Sequence, residues 1–365
     1  MSLTKDTIQN LGELLILGFS GVELSDGTAN FIKKAGIGGT ILFSHNYETP
    51  GQVAELCNSI QDQRRDLPLW ISVDHEGGKV QRFKKGFTRI PEAATIAELG
   101  SPKLAFEVAQ VMARELKAVG INLNFCPVAD IATNPKNPVI GNRAFGTDEE
   151  TVAKFCTAMV RGHLVNGVQP CVKHFPGHGD TSTDSHFALP AVDTPLETLQ
   201  NREFIPFLKS FKSGCSMVMT AHVLIRSIDQ KVPATLCSYL LRDILRKQLR
   251  YTKIVLSDDL EMKAITDHYG AEEAPKLALQ AGCDLLIYRS EAATVQGYEA
   301  LVRAVESGEL APEIVMESVK RARALKKECL LPYQPVTISD VGARLATSEH
   351  QAILQKMSEP VRPRF

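Results

Sequence analysis

Eight short runs of mostly apolar residues punctuate the chain, each followed by a longer stretch in which apolar and charged positions alternate at helical spacing. The runs are LLILGF from Leu14, GGTILF from Gly38, PLWISVD from Pro68, INLNFCPVAD from Ile121, QPCVKHF from Gln169, SMVMTAH from Ser216, KIVLSDD from Lys253 and CDLLIY from Cys283. Near-continuous apolar runs, rather than apolar residues at every second position, predict parallel strands buried on both faces. The segment SPKLAFEVAQVMARELKAV, from Ser101 to Val119, is typical of the intervening stretches. Its apolar residues fall near the 3.6 period, the pattern of a helix laid on a sheet. Eight such βα units predict an α/β chain folded as a closed (β/α)8 TIM barrel rather than an open sheet. Beyond Leu331 the chain turns polar and loses strand periodicity. The expected division is therefore one catalytic barrel over residues 1–331 and a helical or irregular tail over 332–365.

The polar residues sharpen this picture. Asp74, Asp130, His174, His222 and Asp258 fall at or just past the C-terminal ends of predicted strands, the face on which barrels build their sites. Asp130 taken alone reads better as a cap or turn residue. The run IVLSDDL, from Ile254 to Leu260, ends on two carboxylates. Because side chains alternate along a strand, Asp258 and Asp259 are not expected to share the mouth, and parity does not choose between them. Ser257 and Asp259 also suit the cap and turn of the next helix.

The stretch VKHFPGHGDTSTDSH, from Val172 to His186, is too polar for core and too rich in histidine for an ordinary loop. Lys173 and His174 finish a strand and offer a cation and an imidazole to a sugar, phosphate or carboxylate. Across a glycine-rich loop, Asp184 stands two residues before His186, close enough to orient the ring and favour its protonated form, as in a general acid/base. A metal site built from His174, His178, Asp180 and His186 is the competing interpretation, and His178 also suits a loop-shaping role. Two further segments, SVDHEGGKVQRF from Ser72 and GNRAFG from Gly141, place Asp74, Arg82 and Arg143 where an acceptor and rigid donor forks can grip vicinal hydroxyls.

The 365 residues carry 41 basic and 42 acidic side chains and a formal net charge of −1. That balance offers no global field for nucleic acid or an anionic membrane surface and suits a small neutral ligand. None of the eight cysteines shows C-x-x-C spacing, so they read as buried thiols of a reducing compartment. With no apolar signal core near the start and no membrane-length apolar run, a cytoplasmic monomer that binds neither nucleic acid nor membrane is expected.

In their order along the chain, DHEGGKVQRF, GNRAFG, KHFPGHGDTSTDSH, MTAHV and SDDLEMKAI resemble glycoside hydrolase family 3, specifically its bacterial β-N-acetylglucosaminidases of peptidoglycan recycling. The resemblance implies Asp258 as nucleophile, His186 as acid/base held by Asp184, and Asp74, Arg82, Arg143, Lys173 and His174 around a non-reducing N-acetylglucosamine. It implies as substrate a muropeptide containing N-acetylglucosamine linked to 1,6-anhydro-N-acetylmuramic acid, or a chitooligosaccharide. The chain is expected to end before the second sandwich domain from which β-glucosidase members draw a glutamate acid/base, and the Asp184-Ser185-His186 loop resembles the hexosaminidase subgroup instead. His75 departs from the usual polar residue of its motif and is expected at most to tune binding. A retaining glycosidase normally sets two carboxyl groups about 5 to 5.5 Å apart; here a histidine replaces one, and no metal or organic cofactor is implied. A phosphorylase using the same pair, a metal-dependent barrel hydrolase and a non-catalytic sugar-binding protein are the alternatives.

Overall fold

The structure, a computed structural model, describes residues 3–185 and 188–357. Its centre is a ring of parallel strands: β1 (Leu15–Gly18), β2 (Gly39–Leu42), β3 (Trp70–Val73), β4 (Leu123–Asn124), β5 (Gln169–Pro170 continuing as Val172–Phe175), β6 (Met217–Thr220), β7 (Ile254–Asp259) and β8 (Leu285–Tyr288). Consecutive strands pair in parallel from β1 to β4, and β8 returns to β1. The circle closes through β5, whose first segment pairs with β4 and whose second segment pairs with β6. All eight predicted runs are strands of this (β/α)8 barrel. Their apolar continuity has a direct cause, since β1, β2, β3, β6 and β8 are buried at every position, between the packed interior and the outer helices.

The helices start and stop where local chemistry dictates. Ser25, Thr49, Ser101, Asp148 and Ser290 each cap the helix that follows by accepting a backbone N–H, and Pro50 and Pro102 occupy first-turn positions that need no donor. Phe175 at the end of β5 packs against Phe204 and Phe207 of the helix Phe204–Lys212, with ring centroids 5.2 and 5.3 Å away. That contact anchors the strand carrying Lys173 and His174.

At the N-terminal end of the ring, polar groups are structural. Glu13, just before β1, pairs with Lys326 of the helix Pro312–Leu330 at 2.5 Å and with Arg64 at 2.8 Å. Burial would push Glu13 up, but Lys326 and Arg64 outweigh it and hold the carboxyl low, while burial draws Lys326 down to about 8. The cluster joins the first strand to the last helix. Beyond Leu331, the backbone of Val336 exchanges two 2.9 Å hydrogen bonds with the Asn58 side chain. The buried carboxylate of Glu115 accepts from Ala346 N at 2.7 Å and bonds His350 Nδ1 at 2.8 Å, so residues 332–357 lie strapped across the outer helices.

Replacing Glu13 by Gln would leave Lys326 and Arg64 as buried like charges. Glu13→Gln is expected to cost about 3 to 5 kcal/mol in urea unfolding. The double change Glu13→Leu with Lys326→Met should recover most of that loss. Equal destabilisation by both variants would show that the charges are not what holds the ends together.

Candidate active site

A cavity of about 270 Å³ opens at the C-terminal end of the barrel. Its lining includes Asp74 after β3, Arg143 from the long loop after β4, Lys173 and His174 of β5, Asp258 and Asp259 of β7, and Arg289 after β8. Four carboxylates (Asp74, Glu76, Asp258, Asp259) face four cations (Arg82, Arg143, Lys173, Arg289) around one space.

The segment after β3 folds back on itself. His75–Gly77 pairs antiparallel with Val80–Gln81, and Gly77 makes the bend at φ +105°, where an added Cβ would sit 2.3 Å from the Pro91 carbonyl oxygen. The return brings Arg82 to within 3.5 Å of Asp74. From β5, Lys173 reaches across with its ammonium 2.6 Å from Asp74 and 2.7 Å from Glu76. Arg143 in turn grips Glu76 with two 2.8 Å hydrogen bonds, from Nε and Nη2. The result is a line of alternating charges, Arg82, Asp74, Lys173, Glu76, Arg143. Burial would push Glu76 up, but Arg143 and Lys173 outweigh it and hold the carboxyl well below the ordinary range. Burial would likewise draw Lys173 down, and Asp74 and Glu76 raise it instead. Both groups stay charged.

Below this line lies a second carboxylate. Asp130 is fully buried; its Oδ2 bonds His174 Nδ1 at 2.7 Å, and its Oδ1 accepts the backbone N–H of His178 at 2.7 Å and of His174 at 3.3 Å. It is not a cap or turn former but the group that aims the His174 ring. With Nδ1 engaged, Nε2 is the nitrogen left for a ligand.

At β7, the parity expectation fails. Pairing between β7 and β8 slips between Leu256 and Asp259, and that irregularity lets Asp258 and Asp259 both line the cavity. Their environments differ. Asp258 Oδ1 accepts the Asp259 backbone N–H at 2.8 Å; burial pushes Asp258 up, but His222, His174, that N–H and Lys173 outweigh it and hold the carboxyl low. Asp259 is raised by burial to about 6 despite its ion pair with Arg289. Its Oδ1 also accepts the Glu261 N–H at 3.0 Å, the expected turn role. His222 does not line the cavity. It is buried behind β7, with Nε2 3.0 Å from the Asp259 carbonyl oxygen and Nδ1 2.8 Å from the Thr235 hydroxyl.

The polar loop after β5 is tied down at several points. Gly179 passes so close to Ile131 that a Cβ would lie 1.6 Å from its carbonyl oxygen. The His178 ring is buried between Thr181 and Ser185, with Nδ1 at 2.8 Å and Nε2 at 3.2 Å from their hydroxyls. Burial brings it down to about 4. Asp180 is bonded by Thr133 and Thr194. These engagements commit the side chains of His174, His178 and Asp180 to different partners, Asp130, Thr181 with Ser185, and Thr133 with Thr194, and among the described residues no three His, Cys, Asp or Glu side chains form a metal-binding group. Asp184 is half-buried where the loop turns back. His186, expected as the acid/base, lies outside the described residues.

Glu76 and Arg289 were not singled out by sequence reasoning. Glu76 carries a usable signal, standing two positions beyond Asp74 in extended chain, whereas Arg289 in YRSE has none. His75 is buried against Phe83 and Phe87, lies off the cavity, and burial brings its imidazole down to about 3.

A barrel whose mouth sets an ionised aspartate on β7 against a line of fixed charges suits a glycosidase. The chain belongs to glycoside hydrolase family 3: residues 7–325 match the glycosyl hydrolase family 3 N terminal domain. It is 38% identical over 279 residues to the beta-hexosaminidase of Glaesserella parasuis serovar 5 (strain SH0165), covering 76% of this chain and 81% of that one. A family 3 beta-N-acetylglucosaminidase from Paenibacillus sp. str. FPU-7 superposes with a TM-score of 0.93 at 40% identity, over 96% of this chain and 68% of that one. NagZ from Neisseria gonorrhoeae in complex with N-trifluoroacetyl-D-glucosamine gives a TM-score of 0.77 at 30% identity, over 94% and 97%.

Glu76→Gln would leave Arg143 without its carboxylate and Lys173 with Asp74 alone, and a loss of about 3 to 5 kcal/mol is expected near neutral pH. The folded carboxyl is lowered, so its stabilisation is complete above the unfolded pKa of about 4.3 and disappears as pH falls through the folded value. The gap in urea midpoint between wild type and variant should therefore stay constant from pH 8 to 5 and narrow only in stronger acid. A gap that narrows toward pH 8 instead would refute the pairing.

Proposed function

We propose that this protein is a retaining exo-β-N-acetylglucosaminidase that removes terminal, non-reducing N-acetylglucosamine from peptidoglycan-derived muropeptides bearing a 1,6-anhydro-N-acetylmuramic acid unit, or from related β-N-acetylhexosaminides. The observation that carries the reading is Asp258, half-buried yet held ionised, facing the line from Arg82 to Arg143 across one cavity. In this reading Asp74, Arg82, Arg143, Lys173 and His174 hold the sugar. Asp258 attacks the anomeric carbon while protonated His186, oriented by Asp184, donates to the leaving oxygen. Neutral His186 then takes a proton from water, whose oxygen displaces Asp258 and restores the β configuration. The sugar specificity is supported by the names of the matched beta-hexosaminidases and beta-N-acetylglucosaminidases.

The catalytic unit is assigned to residues 1–331, with 332–365 as its tail. We assign the protein to the cytoplasm as a monomer; the eight free cysteines, seven of them buried, support a reducing compartment. Cell fractionation and light scattering test that placement.

Release of nitrophenol from the β-N-acetylglucosaminide should far exceed release from the β-glucoside, and a preference for the glucoside would overturn the specificity. Product analysis with and without phosphate separates hydrolysis from phosphorolysis, and activity should survive chelator. Asp258→Asn should abolish turnover while sugar binding persists; Asp259→Asn should retain far more activity, and the reverse order would exchange their roles.

The nucleophile must be ionised, and its carboxyl is lowered. Activity should therefore hold as pH falls and be lost only below about 4, the ordinary aspartate range. The alkaline limb of kcat/KM should belong to His186 and vanish in His186→Ala. On an N-acetylglucosamine disaccharide that variant should lose about 10² to 10⁴ in rate. An aryl glycoside with a good leaving group should give a burst of phenol followed by slow turnover. Equal losses on both substrates, with no burst, would remove His186 from the acid/base role.

A further inference from the structure

His178 is buried, yet the proposed chemistry does not use it. Its surroundings resemble a clamp. The backbone N–H donates to Asp130 Oδ1 at 2.7 Å, and the carbonyl oxygen accepts from Asn137 Nδ2 at 2.8 Å. The Thr181 hydroxyl donates to that same carbonyl at 3.0 Å. With its proton committed there, the Thr181 oxygen can only accept from Nδ1–H. Nε2 of the neutral ring then accepts from the Ser185 hydroxyl at 3.2 Å. Ser185 is buried as well, and its carbonyl accepts the Ala264 N–H at 3.3 Å, from the start of the helix after β7. A single serine on the loop after β5 is thus held by an imidazole near the start of that loop and by a backbone amide of the helix after β7. Its neighbours in sequence are Asp184 and His186.

We infer that His178 is a positioning residue for the acid/base loop: through Ser185 it fixes the stretch of loop that carries Asp184 and immediately precedes His186 in sequence. The inference rests on the acid/base reading of Asp184 and His186. It adds that the loop is held by a neutral histidine to which the proposed chemistry gives no proton transfer, and which with Ser185 forms part of the cavity wall. Asp130 links the two tasks, because one of its oxygens aims His174 into the cavity and the other fixes the backbone of His178. The same buried carboxylate therefore sets the spacing between a sugar-facing imidazole and the loop latch.

The test compares Ser185→Ala, His178→Phe and the double variant on two substrates, chitobiose and 2,4-dinitrophenyl β-N-acetylglucosaminide, with His186→Ala as reference. Chitobiose needs protonation of its leaving group; dinitrophenolate does not. A misplacement of about 1 Å in a catalytic group can cost on the order of 10²-fold, so kcat/KM on chitobiose should fall by roughly 10- to 100-fold. On the dinitrophenyl glycoside it should stay within about twofold, because that parameter reports the first, unprotonated step. Turnover of the dinitrophenyl substrate should slow and be restored by azide, which attacks the glycosyl enzyme without a base. The double variant should match the single ones, and Ser185→Thr, which keeps the hydroxyl, should recover activity. Ser185→Ala removes one hydroxyl and keeps the test decisive even if His178→Phe folds poorly. If His186→Ala separates the substrates and Ser185→Ala does not, or lowers both equally, the latch is refuted while the acid/base reading stands. If His186→Ala itself fails to separate them, the acid/base reading falls and this inference falls with it.

Discussion

The Lys173 ammonium, set between Asp74 and Glu76 at 2.6 and 2.7 Å with 2% of its side chain exposed, is the contact on which the mouth of the barrel depends. Removing an ammonium from water costs several kcal/mol even after relaxation, so such a group persists only where opposite charges meet it from fixed directions. Here one carboxylate ends β3 and the other stands two residues on, held by Arg143 from the loop after β4. One buried cation therefore couples three consecutive barrel strands. It also contributes to keeping Asp258 ionised, so the geometry of the cradle and the charge state of the aspartate opposite are not independent.

Asp130 has the corresponding role in the layer beneath. Fully buried, it is held ionised against the effect of burial by His174 and His178, and it uses its two oxygens to orient a ring on one side and a loop on the other. The two networks are built on different strands and meet at adjacent residues, Lys173 and His174 at the end of β5. Packing of Phe175 against Phe204 and Phe207 then fixes that strand end from outside. Polar precision at the mouth thus rests on an aromatic contact behind it.

How legible this was in the sequence depended on the range of the cause. All eight strands were readable because burial on both faces acts on every residue of a parallel strand, leaving an unbroken apolar run. Even so, INLNFCPVAD supplies only the two-residue ladder Leu123–Asn124, broken before Pro127, which lacks a donor, and resumed as a single bridge between Val128 and Lys173. Asp74, Arg143, Lys173, His174 and Asp258 could be placed at strand ends by position alone. What failed needed partners distant in sequence. Asp130 resembled a turn residue until His174 and His178, more than forty positions on, supplied its role. The alternation argument for Asp258 and Asp259 assumed regular pairing, and the slip against β8 is a property of two strands rather than one. Glu76 was not singled out because its partners, Arg143 and Lys173, arrive from a distant loop and a distant strand.

Asp259 indicates what a further carboxyl group would experience in this cavity. It has an arginine partner, yet burial, with Glu261 and Asp258 beside it, still raises it to about 6. Four carboxylates and four cations already balance around the space. An added carboxylate acting as the acid/base would have no cation of its own, and its charge would disfavour ionisation of Asp258, which that aspartate needs in order to act as a nucleophile. An imidazole avoids the conflict, since it alternates between +1 and neutral and never adds negative charge. On that argument the pairing proposed for Asp184 and His186 suits the site electrostatically, because an imidazole acid/base would move the proton without placing a fifth anion in the cavity.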